Sequence, residues 1–465
     1  MGTLGTAIYL AVVFVGGWWL TTRGIPKAAA GIGRRLGFRM RMTPITAKRI
    51  QRFKRIKRGY WSFLFLSITF VISLFLELIV NHRPLAIGFK GRVAFPAVEE
   101  WAGKALFFLP ISSFHSRKDF GQAGENEVDY AFFRKCIENP DALRPEIRKA
   151  EEKMRRAEKR FKRLSPPGKD ASEFQRERYA RRKAAYEKRK GQYETVLAAR
   201  KDFESGEAWI LPTLYPFSPN KVRTDIEERP PNSPSLELGI PLGTTTSGRD
   251  VLVLLLYGYR ISVAFALIVA FVGYFVGILV GGIQGYFGGW VDILSQRFVE
   301  IWGSIPFLFT IMLIGSLMTP NFLMLAVLMI VLRSWLGITF YVRGEFYREK
   351  AKDYVQAAIG AGVSDWKIIV KHILPNAMVP VVTFAPFGIV AYIGSLVSLD
   401  YLGFGLPPGT PSWGALLRMG LENVKFHPYL VTVPVVALSL TLFMVVMVGE
   451  AVREAFDPKV FSRLR

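Results

Sequence analysis

The residue types that usually perform catalysis are few in this sequence, and they are not spaced for it. Cys136 is the only cysteine, which excludes an intrachain disulfide and a metal site built from cysteines. The four histidines do not form an H-E-x-x-H motif, the spacing that places two zinc ligands on one helical face. No G-x-x-x-x-G-K-[ST] loop occurs, so the usual cradle for the phosphates of ATP is missing. We therefore expect no catalytic residue, no metal and no cofactor in this chain.

The pattern with the most specific content is a polar stretch, 343–376, that lies between two apolar runs. Its centre reads Tyr354-Val355-Gln356-Ala357-Ala358-Ile359-Gly360-Ala361-Gly362. Ala357 and Ala361 are one helical turn apart, so they form a face on which a partner protein can approach the backbone closely. We expect Gly360 and Gly362 to break this helix, and Pro375 to start the next one. A short helix between two bends can move as a rigid lever.

A single cation interrupts the apolar run 322–342. Arg333 lies close to the middle of this run, where a charge is costly unless it faces water or a partner. Arg333 is therefore a candidate for contact with an anionic group of a solute in a pathway across the membrane. A structural ion pair, or a position nearer the membrane surface, is the alternative.

The elements that must position these residues are membrane helices, although the overall charge first suggests otherwise. The 465 residues include 61 Lys+Arg and 37 Asp+Glu, a formal charge of +24, yet 51% are hydrophobic and the mean hydropathy is +0.25. A strongly basic chain suggests nucleic-acid binding. Here, however, thirteen positive charges and no acidic residue are concentrated in 23–59, between two apolar runs. We therefore expect no nucleic-acid partner, and a contact with the lipid headgroups instead.

The distribution of charge also predicts how the chain crosses the bilayer. A basic segment between two spans marks the cytoplasmic side. We therefore predict a retained N-terminal transmembrane helix in 1–22 (Leu4 to Leu20), a cytoplasmic loop in 23–59 and a second span in 60–80. An extracytoplasmic region, 81–257, and the main transmembrane domain, 258–455, follow. The predicted fold is an all-α polytopic membrane protein of about seven transmembrane helices, with an extracytoplasmic helical-hairpin insertion.

The insertion is predicted at about 144–204, within a block of charge. Apolar or small residues recur there at alternating steps of three and four, which is typical of a coiled-coil seam: Ala150, Met154, Ala157, Phe161 and Leu164. A second helical stretch carries Tyr179, Tyr186 and Tyr193 at heptad spacing. These patterns favour an antiparallel hairpin. It serves either as a spacer or packing appendage, or as a docking surface for a partner or an anionic component of the envelope.

The alanine–glycine stretch resembles the cytoplasmic "E-A-A, three residues, Gly, nine residues, I-x-L-P" loop of ABC importer permeases. The residues that match this pattern are Ala357, Ala358, Gly362, Leu374 and Pro375, while Gln356 replaces the usual Glu and His372 stands where Ile is usual. The resemblance implies that loop 343–375 holds the helix that couples the spans to an ATP-binding subunit. The residues assigned to this coupling are Gln356, Ala357, Ala358, Gly360, Ala361, Gly362, Ser364, Asp365, Leu374 and Pro375.

Two further stretches narrow the resemblance to dipeptide and oligopeptide permeases. Segments 241–262 and 398–414 resemble, respectively, the entry to the transmembrane domain and an outer loop of that group. Segments 60–62, 285–302 and 449–458 are most similar to the second permease of the microcin C and oligopeptide importers. Glycines and prolines exclude a helix through 402–414. The resemblance implies an outer loop near the substrate gate, so we assign Asp400, Gly403, Phe404 and Trp413, together with Arg333, to the pathway or outer gate.

The resemblance therefore implies one transmembrane subunit of an ATP-driven importer of peptides or peptide-like solutes in the bacterial inner membrane. Its expected partners are a second permease, two ATP-binding subunits and an extracytoplasmic substrate-binding protein. The family plan accounts for roughly 40–110 and 208–460, and we expect the N-terminal helix and the hairpin to be additions to it. The alternative is a membrane-anchored envelope scaffold whose hairpin recruits a partner. A secondary transporter is a third option, but it would need ionisable pairs at the membrane midplane.

Overall fold

The computed structural model describes residues 15–17, 19, 21–22, 44–105, 115–167 and 172–456. These residues form two compact units. One contains the residues up to Leu74 and those from Pro219 onward, and the other contains Phe75–Ser218. Most of the predicted N-terminal span, 1–22, and the first half of the basic segment, 23–59, lie outside the described residues.

The first unit begins with two helices, α1 (Pro44–Arg55) and α2 (Lys57–Ser73). Helix α1 has basic residues in its last turn, whereas α2 is apolar. Both helices contact the end of the C-terminal helix. The guanidinium of Arg49 lies 4.9 Å from the centre of the Phe456 ring, and Arg58 is 3.7 Å from a carboxylate oxygen of Glu454. The helix in the region of the predicted span 60–80 is shorter than predicted, because α2 ends at Ser73.

The second unit is built on a small antiparallel sheet that the sequence analysis did not predict. Its strands are β1 (Ala86–Phe89), β2 (Arg92–Ala94) and β3 (Trp209–Leu211), in the order β2-β1-β3. The helices of this unit, in chain order, are α3 (Leu76–Ile79), α4 (Pro96–Ala105), α5 (Tyr130–Glu138), α6 (Arg144–Lys162) and α7 (Glu173–Glu204), with 3₁₀ turns at Arg117–Phe120 and Pro140–Leu143.

The aromatic core of this unit encloses Cys136. The rings of Phe89, Phe133 and Phe203 lie 5.1 to 5.8 Å apart, and Cys136 is buried in the same cluster. Burial raises the pKa of the Cys136 thiol to about 11, since the low-dielectric core disfavours the thiolate. The thiol therefore stays protonated and unreactive at neutral pH.

Helices α6 and α7 form a hairpin along the seam of small and aromatic residues. Phe161 packs against Tyr179 and stacks on Tyr186, with ring centres 5.3 and 5.7 Å apart. Helix α7 starts with a capping box, in which Ser172 and Gln175 each accept a hydrogen bond from the other's backbone N–H. The outer surface of the hairpin is highly charged. Ion pairs one helical turn apart lie along it, such as Arg155–Glu151 on α6.

The remaining elements of the first unit are all helical. In chain order they are α8 (Val251–Phe287), α9 (Gly289–Gly303), α10 (Phe307–Leu317), α11 (Phe322–Met329), a π-helical turn (Ile330–Ser334), α12 (Leu336–Lys350), α13 (Asp353–Gly360), α14 (Asp365–Lys367), a second π-helical turn (Ile368–Ile373), α15 (Leu374–Ala377), α16 (Val379–Leu402), α17 (Trp413–Glu422) and α18 (Tyr429–Phe456).

Within the described residues, the helices α8, α16 and α18 are long and apolar enough to cross a bilayer. Two bent pairs bring the number to five if each pair is one span: α9 with α10, bent by 62°, and α11 with α12, bent by 43°. Helix α2 is a further apolar helix of 17 residues. The all-α polytopic fold predicted from the sequence is confirmed, with the small sheet as an addition.

A ladder of glycines brings α8 against α11 and α12. Gly273, Gly277, Gly281 and Gly285 recur at every fourth residue of α8 and are buried. A Cβ atom at Gly277 would lie 2.7 Å from the carbonyl oxygen of Trp335. A Cβ atom at Gly285 would lie 2.7 Å from the carbonyl oxygen of Arg343. The two backbones therefore approach as closely as glycine allows, which is how helices gain packing energy within a bilayer.

The close approach predicts that Gly281→Val destabilises the fold. A Cβ at this position would lie 2.5 Å from the carbonyl oxygen of Thr339, so α8 and α12 would have to separate, at a cost of about 1–3 kcal/mol. Gly344→Val in α12 is the control, because a Cβ there meets nothing within 4 Å. We expect a lower melting temperature in mild detergent for Gly281→Val alone. Equal melting temperatures for the two variants would contradict the ladder.

Candidate functional site

The coupling segment begins with α13, which ends in a Schellman turn. The N–H of Gly362 bonds to the carbonyl of Ile359 at 3.0 Å, and the N–H of Val363 bonds to that of Ala358 at 3.1 Å. Gly362 has φ +72°, the left-handed conformation in which glycine carries no steric cost. The prediction that Gly360 breaks the helix is wrong, because Gly360 is the last helical residue. The bend is made at Gly362.

The chain becomes helical again at Asp365 and changes its helical type before it enters α16. The π-helical turn Ile368–Ile373 separates α14 from α15. Pro375 lies in the first turn of α15, where the missing N–H costs least. The predicted helix start at Pro375 is therefore present, although a π turn precedes it directly instead of a break.

One face of this segment is built into the core of the membrane unit. Val355, Ile368, Ile373 and Ala377 are at most 1% exposed. They belong to a buried cluster with residues of α8 and α12. Ala358, Val363 and Leu374 pack against this cluster as partly buried residues. The segment is therefore attached to two membrane helices through its inner face.

Hydrogen bonds fix the ends of the segment to its neighbours. The hydroxyl of Tyr286, near the end of α8, donates to Asp365 Oδ1 at 2.6 Å. The hydroxyl of Tyr354 donates to Glu349 Oε2 at 2.7 Å and accepts from Asn376 Nδ2 at 3.0 Å. Burial, followed by the hydrogen bond to Glu349, raises the pKa of Tyr354. The phenol therefore stays protonated, as its role as a donor requires.

The opposite face of the segment is exposed. The sequence-assigned residues on it are Gln356, Ala357, Gly360, Ala361, Gly362, Ser364 and Asp365. The side-chain amide of Gln356 donates to the carbonyl of Lys350 at 2.7 Å, so Gln356 caps the preceding helix. Because its side chain is neutral, it does not form the ion pair that a Glu at this position could form.

Two large apolar residues on the exposed face were not assigned to the site from the sequence. The side chain of Trp366 is 70% exposed and that of Ile359 is 39% exposed. A large exposed aromatic residue beside small residues is typical of a contact surface for another protein. The signal was present in the sequence as a tryptophan directly after Asp365, but the side it faces depends on the turn at Gly362.

Asp292, in the first turn of α9, fastens the bent pair α9–α10 to α12. Its two carboxylate oxygens accept from Arg343 Nε and Nη2, both at 2.6 Å. The hydroxyl of Tyr347 donates to Asp292 Oδ2 at 2.6 Å. A bidentate pair with a third donor is strong and directional, so it sets the position of α9 beside the helix that leads into the coupling segment.

Arg333 lies on the π-helical turn between α11 and α12 and lines a cavity of about 620 Å³. The wall is formed by α8, α9, α10, α12, α16 and the π-helical turn itself, and it is mainly apolar, with seven aromatic residues among nineteen. Glu300 of α9 is the other charged residue on it. The Arg333 guanidinium lies 5.8 Å from the centre of the Phe307 ring.

The residues assigned to the outer gate occupy a rigid corner after α16. Asp400 accepts from the backbone N–H of Leu406 at 2.6 Å and from the hydroxyl of Ser412. Trp413 is 1% exposed and donates to the carbonyl of Leu255 at 2.9 Å. Gly403 has φ +85° and ends the helix. Asp400 and Trp413 therefore hold the loop in place instead of facing a pathway.

Phe404 of this group lies beside α10. It is half-buried, and its Cδ1 atom would lie 3.5 Å from a Cβ placed on Gly315 of α10. Phe404 thus connects the corner to the second half of a bent pair. Arg333 is placed separately, in the wall of the cavity.

Bent apolar helices around a mainly apolar cavity, joined by a segment that is exposed on one face, define a polytopic membrane protein. Comparison with known proteins gives the family. Residues 273–462 match the family described as "binding-protein-dependent transport system inner membrane component". The peptidoglycan transport system permease protein YejE of Agrobacterium fabrum is 34% identical over 425 residues, covering 90% of this chain and 94% of the relative.

Two further relatives agree with this result. The inner membrane ABC transporter permease protein YejE of Escherichia coli is 33% identical, covering 90% of this chain and 98% of the relative. The oligopeptide transport system permease protein OppC of Haemophilus influenzae is 35% identical, covering 54% of this chain and 79% of the relative. The chain belongs to this family of ABC transporter permeases, which are multi-pass proteins of the bacterial inner membrane. The identification from sequence motifs is thereby confirmed.

Among solved structures, an inward-facing MetNI methionine ABC transporter matches with a TM-score of 0.37 and 17% identity, covering 44% of this chain and 96% of that chain.

The Asp292 contacts predict a specific loss of stability. Asp292→Asn removes the charge that holds Arg343 while it keeps the size of the side chain, so we expect a loss of about 1.5–3 kcal/mol. Glu300→Gln is the control, because Arg297, its cationic partner on α9, is largely exposed. The melting temperature of the purified protein should fall for Asp292→Asn and stay near wild type for Glu300→Gln. A similar small effect in both variants would argue against the fastening role.

Proposed function

We propose that this chain is one of two permease subunits of an ATP-driven importer of peptides or peptide-like solutes. ATP is hydrolysed by two separate ATP-binding subunits, and loop 343–375 couples that hydrolysis to alternating access of the spans. The proposal is carried by one observation: the segment from α13 to α15 has a buried face within the membrane core and an opposite face on which small residues and Trp366 are exposed.

The exposed face fits a cleft in a partner protein. Ala357 and Ala361 leave the backbone open to close approach, and Trp366 offers a large apolar surface beside them. An interface of this kind usually has an aromatic anchor surrounded by small residues that tolerate tight packing. Of the remaining residues assigned to coupling, Ala358 and Leu374 pack against the buried cluster, and Pro375 lies in the first turn of α15.

The inner face supplies the route by which the motion of a partner would reach the spans. Asp365 is bonded to Tyr286 of α8, and Val355 packs in the cluster that includes Phe346 of α12. A displacement of the segment therefore pulls on α8 and α12 together. The same two helices form part of the cavity wall, so nucleotide-driven closure would change the shape of the cavity.

Membership of this family supports a proposal for the partners and the substrate. Relatives carry names that refer to peptidoglycan, oligopeptide and dipeptide transport, which supports a peptide-like solute. We propose that the solute arrives on an extracytoplasmic binding protein and passes between this chain and a second permease. Region 81–257 then lies outside the membrane, 23–59 lies in the cytoplasm, and Arg333 with Phe404 lines the pathway, while Asp400, Gly403 and Trp413 shape the outer loop.

The coupling proposal predicts that Ala357→Glu uncouples the complex. The added carboxylate would be buried without a partner in the cleft of the ATP-binding subunit, which costs several kcal/mol. We expect about a tenfold or greater loss of stimulated ATP hydrolysis in the reconstituted complex, with the same melting temperature as wild type. Ala180→Glu on the exposed side of α7 is the matched control.

Unchanged assembly and hydrolysis in Ala357→Glu would rule out this segment as the coupling site. In that case the scaffold function becomes the better explanation, and deletion of 144–204 tests it. Loss of uptake with normal hydrolysis would indicate that the hairpin docks a partner, whereas loss of a bound envelope component without any transport defect would favour the scaffold.

The exposed tryptophan gives a second test of the same surface. Trp366→Ala removes the largest apolar side chain from the exposed face, and we expect a weaker complex with the ATP-binding subunits by about 2 kcal/mol or more, as for an aromatic hot spot. Phe174→Ala in the hairpin, where the ring is 71% exposed, is the control. The dissociation constant of the purified subunits measures the effect. Equal constants for both variants would remove Trp366 from the interface.

A further inference from the structure

The cavity beside Arg333 has the dimensions and the lining of a binding site for a small solute. Its volume of about 620 Å³ falls within the range of roughly 300–1,000 Å³ that is typical of ligand pockets. It lies where two bent helix pairs meet, at the break between α9 and α10 and at the π-helical turn after α11. Interrupted helices of this kind commonly surround the substrate sites of transporters.

Aromatic residues contribute much of the apolar lining of the cavity, and two of the tyrosine hydroxyls are bonded to backbone carbonyls. The hydroxyl of Tyr274 donates to the carbonyl of Phe384 at 3.2 Å, and that of Tyr392 donates to the carbonyl of Ser334 at 3.1 Å. The rings of Tyr341 and Phe384 stack with centres 4.2 Å apart. These walls therefore offer apolar surface and few hydrogen bonds to a solute.

The two charged residues on the wall differ in what they contact. Glu300 accepts from Gln296 at 3.0 Å and from Arg297 at 2.7 Å, so both of its oxygens are engaged. Arg333 has no carboxylate within ion-pair distance among the residues that the structure describes, and its contact there is the ring of Phe307. The cavity thus contains one guanidinium whose charge is not balanced by a described neighbour.

The backbone around Arg333 is held in place by two indole groups. The carbonyl of Val331, within the π-helical turn, accepts from Trp302 Nε1 at 2.8 Å and from Trp335 Nε1 at 2.9 Å. The turn is therefore anchored at Val331, and Arg333 follows two residues later at the cavity wall.

We propose that this cavity binds the carboxylate end of the transported solute, with Arg333 as its ligand. The inference rests on the proposed transport function and adds the chemical group that this subunit recognises. A guanidinium pairs with a carboxylate through two parallel hydrogen bonds, and the mainly apolar wall accommodates apolar side chains of varied shape. Solutes with a free carboxylate are therefore preferred over their neutral amides.

The test compares tri-alanine with its C-terminal amide in proteoliposomes that contain the complete importer and its binding protein. Uptake efficiency is measured for each peptide in wild type, Arg333→Gln and Arg333→Lys. We expect Arg333→Gln to lower the acid-to-amide ratio by about 10- to 100-fold, the range expected for the loss of a charged hydrogen-bonded pair. Arg333→Lys should restore part of the ratio, since it keeps the charge without the planar fork.

The design separates this inference from the proposed function. The binding protein is the same in every variant, so a change in the ratio arises in the permease. Arg348→Gln, an exposed arginine of α12, is the control and should keep the wild-type ratio. Uptake that proceeds with an unchanged ratio in Arg333→Gln, at a normal melting temperature, overturns the carboxylate site. Absence of ATP-driven uptake of both peptides in wild type overturns the transport function itself.

Discussion

The close contact between α8 and the pair α11–α12 is the constraint on which the other features of the membrane unit depend. In a bilayer the lipid tails are as apolar as the helix surfaces, so association relies on tight packing of backbones. The glycines of α8 provide it from Gly273, where a Cβ would clash with Ser334, to Gly285, which faces Phe346. Ser334 directly follows Arg333 in the cavity wall, and Phe346 packs in the cluster that holds Val355 of the coupling segment.

The two ends of this contact are therefore connected mechanically. A small shift at the Gly285 end cannot be absorbed by loose packing, because close-packed interiors transmit strain. The Asp292–Arg343 pair restrains α9 in the same frame, while the π-helical turns at Ile330–Ser334 and Ile368–Ile373 are the places where the helical hydrogen-bond pattern changes. Such turns often mark sites where a helix can adjust its register. The fold thus combines a stiff centre with two adjustable positions, one beside the cavity and one beside the coupling segment.

The sequence predicted the parts of this arrangement that have a local signature. Alanine and glycine spacing located the helix at 353–360, and the apolar runs located the spans. Both Gly360 and Gly362 were expected to break the helix, because glycine permits a bend at either position. Gly362 alone of the two adopts the left-handed conformation, and Val363 after it packs against the buried cluster. The cavity could not be predicted, since its wall comes from five helices far apart in the chain. The sheet of Phe75–Ser218 was missed because its strands are three or four residues long, too short for a period of two to stand out.

The way in which the chain enters and leaves the unit Phe75–Ser218 has an evolutionary meaning. Its two ends are paired with each other: the N–H of Tyr215 bonds to the carbonyl of Ile79 at 3.0 Å, and the N–H of Asn81 bonds to the carbonyl of Tyr215 at 3.1 Å. A domain whose termini are adjacent can be acquired or lost at a single loop without rearranging its host. The membrane helices and this unit can therefore diverge at different rates. Such a modular junction would produce two kinds of relatives: those that align over about half of the chain and those that align over nine-tenths of it.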